Sequence, residues 1–181
     1  MNRCKFIVMI AALFLISCVP KLQLSEMTPS LNRSDFISTN KSLAIGEVTG
    51  KKETDILGLP MANIENEELK EAMAKTFLAS GIFKEVLLER TGDYQLSANI
   101  ISQKVEGAYS STIPLLVRYK LVENASGKAL WAGNIFSQKT LSITDEFMGG
   151  KRVSRLREMT IKDNMNQLVR KINSIISKEM Q

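Results

Sequence analysis

The sequence predicts an α+β fold: a two-layer sandwich in which a mainly antiparallel sheet of about five strands carries two helices on one face. Three observations support this class. Apolar and polar residues alternate in several short runs, most clearly at residues 94–100. Two longer stretches repeat apolar residues every three or four positions, as amphipathic helices do. These stretches follow one another as β-α-β-β-β-β-α, an order that suits helices packed on one side of an open sheet.

The first strand is predicted at residues 43–48, which end at Thr49-Gly50. A helix follows, because Asn63 or Asn66 can cap its start and acidic residues favour the positive end of the helix dipole. Gly81 is suited to end this helix, since glycine readily adopts the left-handed conformation there.

Four more strands are predicted at residues 83–89, 94–100, 115–121 and 129–143. The last two form a hairpin, whose turn contains Gly127. Apolar residues from Leu156 to Ile176 recur at helical spacing and predict a long C-terminal helix.

Residues 1–17 have the pattern of an export signal. Arg3 and Lys5 precede an unbroken run of 11 apolar residues, which is too short to span a bilayer as a helix. The run ends at Leu15-Ile-Ser-Cys18, which resembles a bacterial lipobox. The resemblance implies cleavage before Cys18 and its acylation, with chains such as palmitate fixing the protein to a membrane.

The same pattern accounts for both cysteines, because Cys4 leaves with the signal and Cys18 carries lipid. Residue 19 is Val and not Asp, which in enteric-type sorting implies the outer membrane, facing the periplasm. An ordinary secretory signal with a chance cysteine is the alternative. Residues 18–40 show no sustained period and are predicted to be a flexible tether, which leaves 41–181 as a single globular domain.

The composition excludes several chemistries. The chain contains no histidine, which removes the Ser-His and Cys-His nucleophiles and any histidine metal ligand. It contains no phosphate-binding glycine loop and no calcium loop, so no cofactor or metal is expected. Nucleic acid is not an expected partner, because basic residues interleave with few aromatic ones.

The C-terminal segment is basic, and six of its residues could form a surface for an anionic ligand or an acidic partner. They are Lys151, Arg152, Arg155, Lys162, Arg170 and Lys171. The alternative is a solvated face on a core helix. Trp131, the only tryptophan, is either a packing residue or a partner contact.

Several segments resemble a family of small bacterial lipoproteins of unknown function. They include residues 45–54, 67–72, 93–98, 117–121 and 147–149. The pattern Tyr119, Leu121, Ser126, Gly127, Trp131 and Gly133 is similar to a hairpin in auxiliary lipoproteins of envelope assembly and transport systems. Some family members carry the name UDP-N-acetylglucosamine acyltransferase. That enzyme type is a hexapeptide-repeat β-helix with a histidine base, whereas this chain has neither repeats nor histidine.

Together these observations predict a lipid-anchored, non-enzymatic binding or auxiliary component of the cell envelope. Its expected partners are the membrane, through Cys18, and an envelope protein. A lipid or glycolipid carrier with an apolar cleft is the alternative, and an acyltransferase-type enzyme is a remote one.

Overall fold

The computed structural model describes residues 22–50, 63–88, 91–107, 110–146 and 149–181. The predicted leader, Cys18 and residues 51–62 lie outside these ranges. The described elements are α1 (Leu24–Met27), a 3-10 turn (Arg33–Asp35), β1 (Thr39–Gly50), α2 (Asn66–Ser80), β2 (Phe83–Leu87), β3 (Tyr94–Ser102), β4 (Ser110–Glu123), β5 (Ala129–Ser142) and α3 (Gly149–Glu179).

The predicted α+β class and the order of the main elements are confirmed. One five-stranded sheet has the strand order β2-β1-β3-β4-β5. The sheet is mixed rather than mainly antiparallel, because β1 is parallel to both of its neighbours and only the β3-β4 and β4-β5 pairs are antiparallel. The parallel β1-β2 pair follows from the helix between them, since a crossover returns the chain to start the next strand in the same direction.

The second parallel pair, β1-β3, arises because β2 and β3 pair mainly with different parts of β1, on its opposite sides. β2 ends level with Ala44, whereas β3 begins level with Leu43 and continues to Gly50. The chain therefore passes from one side of β1 to the other just before β3. Gly92 lies against the β1 backbone at this point, where a Cβ would stand 2.9 Å from the Ala44 nitrogen.

Asp93 fixes this crossing. Its Oδ2 accepts hydrogen bonds from the N–H and the hydroxyl of Ser42, each at 2.8 Å. These hydrogen bonds, with help from Lys41, hold the pKa of the Asp93 carboxyl below its ordinary value.

The helix boundaries depend on local capping. Glu65, rather than Asn63 or Asn66, caps α2, and its backbone N–H donates to Glu68 Oε2 at 3.0 Å in a capping box. Gly81 ends the same helix with φ 69°, as expected for the left-handed position. Gly127 has φ 69° in the β4-β5 turn, which confirms its predicted role.

Both long helices pack against the sheet: α2 lies against β1 and β2, and α3 lies against β4 and β5. Ile113, Leu141 and Leu156 form a small apolar cluster, and one large apolar core fills the rest of the layer between helices and sheet. Its most buried members include Phe77, Leu96, Val117, Tyr119, Met165 and Leu168. The carrier alternative expects an apolar cleft in this layer; in the part of the chain that the structure describes, core side chains occupy it.

The expected flexible tether is wrong for the described residues 22–40. Leu22 and Met27 are buried in the main core, where the sequence showed no periodic pattern. Hydrogen bonds join this N-terminal segment, defined as residues 22–38, to the long helices at three places. The Gln23 N–H donates to Glu158 Oε1 at 2.7 Å, Arg33 donates to the Leu78 and Ala79 carbonyls, and the Ile37 N–H donates to Asn173 Oδ1 at 3.0 Å.

The folded domain therefore begins by Leu22 and not near residue 41. The N-terminal segment lies between α2 and α3, and it contains only a four-residue helix and isolated apolar side chains. These few residues are sufficient because α2 and α3 already form the apolar surface on which they pack. No helix within the described ranges is both long enough and apolar enough to span a bilayer.

Candidate functional site

The six predicted basic residues lie on several sides of α3 and do not form one surface. Arg152 is a correction, because its side chain is buried and is 8% exposed. Its Nε donates to Ser111 Oγ and its Nη1 to the Glu146 carbonyl, both at 3.3 Å. Arg152 thus ties the start of α3 to β4 and to the chain before the helix, and it presents no charge to a partner.

Lys171 lies on another side of α3, next to the tryptophan. Its Nζ is 5.9 Å from the centroid of the Trp131 ring, a cation-π distance. Trp131 in turn stacks on Tyr119 with ring centroids 6.4 Å apart. Gly133 supports this arrangement, since a Cβ there would stand 2.9 Å from the indole. The contacts assign Trp131 a packing role.

Lys151 and Arg155 line a surface depression of about 490 Å³ beside the start of the N-terminal segment. Three carboxylates, those of Glu26, Glu146 and Glu158, line the same depression. The acidic residues outnumber the basic ones, so this depression has no excess positive charge for an anion.

Lys162 and Arg170 line a different depression, of about 390 Å³, which we call the α3 groove. Its complete lining is Pro29, Ser30, Lys139, Met159, Lys162, Asp163, Asn166 and Arg170. Three cations and one carboxylate give the α3 groove an excess of positive charge. Lys139 of β5 and Asp163 form an ion pair at 3.2 Å.

Sequence reasoning did not include Lys139, because only the docking of α3 on β5 brings it beside Lys162. A polar contact along α3 positions Arg170. Its Nε donates to Asn166 Oδ1 at 3.3 Å, one helical turn away. Of the sequence-predicted residues, only Lys162 and Arg170 thus share a depression with a net positive lining.

The outer face of the sheet, away from the helices, carries a row of polar side chains beside exposed apolar ones such as Phe136 and Ile101. A cross-strand row places Asn99 beside Arg118 and Arg118 beside Asn134, with Arg118 Nε donating to Asn134 Oδ1 at 3.2 Å. Phe136 is the most exposed aromatic residue of this face, at 53%. The row consists of amide and guanidinium groups, which bind and orient but supply no nucleophile.

A buried polar network joins the sheet to α3. Tyr119 donates its hydroxyl to Asn164 Oδ1 at 2.6 Å, and Asn164 Nδ2 donates to Ser137 Oγ at 3.1 Å. Burial raises the pKa of Tyr119 far above its ordinary value, so the phenol stays protonated and acts as a donor. The network is enclosed by core side chains and stabilises the packing of α3 on the sheet.

A buried ion pair joins the two long helices. Arg157 is 5% exposed, and its Nη2 lies 2.8 Å from Glu68 Oε2 while it also donates to the Asn63 carbonyl. Burial lowers the pKa of Arg157, and Glu68 opposes that change by favouring the charged form. Among the described residues, Arg157 Nε has no hydrogen-bond partner.

The described residues contain no cluster of three or more acidic, cysteine or histidine side chains able to hold a metal ion. The proposed lipid site, Cys18, lies outside the described ranges.

Comparisons with solved structures identify proteins of similar fold. A DUF330 protein of Xanthomonas campestris has a TM-score of 0.66 at 15% identity, covering 85% of this chain and 94% of that one. A hypothetical protein of Chlamydia trachomatis has a TM-score of 0.55 at 13% identity, covering 76% and 98%. A candidate lipoprotein of Caulobacter crescentus has a TM-score of 0.50 at 10% identity, covering 75% and 91%.

No protein-family model and no curated protein sequence matches the chain. At these identities the structural likeness concerns the fold. The chain therefore has a fold that occurs in bacterial proteins, among them one named as a candidate lipoprotein.

Proposed function

We propose that the protein is a lipid-anchored, non-enzymatic binding component of the bacterial cell envelope, acylated at Cys18. Its place is the outer membrane, on the periplasmic side, as an auxiliary part of an assembly or transport system. The observation that carries the proposal is the Leu15-Ile-Ser-Cys18 pattern at the end of the apolar run. Leu22 is buried in the core only four residues after Cys18 in the chain.

The short distance between anchor and fold defines how such a protein would act. Four residues span at most about 14 Å when extended. The acylated domain would therefore be held against the membrane surface instead of moving on a long tether. A partner would meet it within a narrow layer above the bilayer, where anchoring raises the effective concentration of both proteins.

Three features support binding over catalysis. The chain has no histidine, so its strongest candidates for proton transfer are carboxylates and lysines. The buried polar groups of Tyr119, Asn164 and Arg157 are engaged in contacts between structural elements. The outer sheet face carries amide and guanidinium groups that suit recognition.

Matched cysteine variants test the anchor. Cys18→Ser is expected to give a stably folded protein in the soluble fraction, whereas Cys4→Ser, in the discarded leader, is expected to remain in the membrane pellet. Equal membrane retention of both variants would show that Cys18 is not the anchor. Density-gradient separation of the wild-type membranes then tests the outer-membrane assignment, which recovery with the inner membrane would contradict.

Crosslinking in intact envelopes tests the binding role. The wild-type protein is expected to crosslink to the same envelope protein in independent preparations, and Cys18→Ser is expected to lose that product because it leaves the membrane layer. An envelope without any crosslink above the level of an unrelated anchored domain would contradict a binding component. Substrate turnover that a single polar substitution abolishes would replace the proposal with an enzyme.

A further inference from the structure

The N-terminal segment places one face of the domain nearest to the proposed anchor. The Gln23 N–H is bonded to Glu158 in the first third of α3, next in the chain to Met159 of the α3 groove. Pro29 and Ser30 of the same N-terminal segment line the groove itself. Five residues separate Cys18 from Gln23 by at most about 18 Å. If Cys18 is acylated as proposed above, on which this inference rests, the surface around the α3 groove lies close to the lipid headgroups.

The charges of the α3 groove suit an anion. Lys139 is neutralised by Asp163, which leaves Lys162 and Arg170 as the two further cations of the lining. Within the described ranges, neither Lys162 nor Arg170 forms an ion pair with a carboxylate. The acidic residue one turn before Lys162, Glu158, accepts the hydrogen bond from the Gln23 N–H.

The geometry also suits a headgroup. Lys162 and Arg170 are eight residues apart on one helix, which corresponds to a rise of about 12 Å. Both side chains are long enough to converge on a group between them, and Asn166 positions the guanidinium from that interval. Pro29 and Met159 add apolar surface to the lining, on which the start of the acyl chains of a phospholipid can pack.

We propose that the α3 groove binds the phosphate of an anionic phospholipid headgroup in the membrane that holds the anchor. Arg170 contacts the phosphate through its guanidinium, and Lys162 contributes a second positive charge. This contact fixes the orientation of the domain on the bilayer, with α3 facing the headgroups and the outer sheet face left free for a partner.

The test uses the full acylated protein, purified from membranes and added to preformed vesicles. One set contains phosphatidylcholine alone, and the other contains phosphatidylcholine with phosphatidylglycerol. The rate of lysine acetylation by a reagent confined to water is followed at Lys162 by mass spectrometry. Lys120, on the outer sheet face, serves as the internal control because the proposal leaves it exposed in both sets.

Lys162 is expected to be acetylated about fivefold more slowly on the phosphatidylglycerol vesicles. This factor corresponds to the attraction of about 1 kcal/mol between one basic residue and an anionic membrane surface. Arg170→Gln is expected to remove most of this protection, whereas Arg118→Gln, which removes the same charge from the outer sheet face, is expected to preserve it. Equal Lys162 rates on both vesicle types would overturn the proposal.

A third arm adds inorganic phosphate to the phosphatidylcholine vesicles. Protection equal to that given by phosphatidylglycerol would assign the groove to free phosphate and overturn the lipid assignment. Failure of the wild-type protein to float with phosphatidylcholine vesicles would instead disprove the anchor, and the Lys162 rates with excess phosphatidylglycerol vesicles would still decide the groove.

Discussion

The Tyr119-Asn164 contact gives the most specific prediction about the stability of the fold. Tyr119 is fully buried on β4, and its hydroxyl lies 2.6 Å from Asn164 Oδ1 on α3. Asn164 also donates to Ser137 Oγ at 3.1 Å on β5. The perturbation is a double-mutant cycle that combines Tyr119→Phe with Asn164→Leu.

The expected magnitudes follow from what each change leaves unpaired. Tyr119→Phe leaves the buried Asn164 Oδ1 without its donor, which costs about 1–3 kcal/mol of unfolding free energy. Asn164→Leu leaves both the Tyr119 and the Ser137 hydroxyls without this partner, so we expect it to cost at least as much. The double variant removes the Tyr119 donor together with its acceptor, so the coupling should reduce the summed cost by about 1–3 kcal/mol.

Urea denaturation followed by far-UV circular dichroism measures the four free energies, with the fluorescence of Trp131 as a second probe. The exposed Thr112-Thr140 hydrogen bond, at 2.9 Å between the same sheet's β4 and β5, provides a control cycle with valine substitutions. We expect less coupling there, because water can replace the lost partner. Additive effects at Tyr119 and Asn164, with no more coupling than in the control, would refute the stabilising role of this buried hydrogen bond.

Three further predictions concern other contacts. Met27→Ala should lower the unfolding free energy by about 2–5 kcal/mol, as for a core residue, and a loss near zero in urea denaturation would restore the flexible tether. Glu68→Gln should lower the unfolding free energy by about 3–5 kcal/mol in the same assay, because it removes the carboxylate that forms the ion pair with the buried Arg157. Glu71→Gln, exposed on the same helix, should change that free energy by less than about 0.5 kcal/mol. Asp93→Asn should lower the unfolding free energy at neutral pH. The difference from wild type should shrink as the pH falls below 3.8, because the native carboxyl has a lowered pKa and the wild type loses its contribution once that carboxyl is protonated. A difference in unfolding free energy that does not depend on pH would contradict this assignment.

The sequence predicted the main elements because their signals are local. Alternation at residues 94–100 requires only that one side of a strand be buried, and β3 covers this run. The turn at Gly127 and the helix end at Gly81 depend on a single backbone conformation that glycine favours. Such features are readable before any tertiary contact is known.

The parallel pairs and the N-terminal segment could not be read in this way. Strand direction beside β1 depends on how β2 and β3 divide its length, which no local pattern encodes. Leu22 and Met27 are too few to form a period, and their burial depends on a surface between two helices distant in sequence.

The candidate site was predictable in part for a related reason. A count of charges identified Lys162 and Arg170 but gave the same weight to Arg152, which the fold buries with polar partners. The ion pair between Lys139 and Asp163, which decides the net charge of the α3 groove, joins residues 24 positions apart in the chain. The charge composition therefore identified α3 as the basic helix, but only tertiary packing shows which of its basic residues are buried and which line the α3 groove.

The central claim is that the folded domain is held at the membrane by lipid on Cys18, four residues before Leu22, the first buried residue that the structure describes. Mass spectrometry of the mature protein purified from envelopes tests it most directly. The account predicts an N-terminal peptide that begins at Cys18 and carries acyl chains. A mature chain that begins elsewhere, or one in which Cys18 is unmodified, would contradict it.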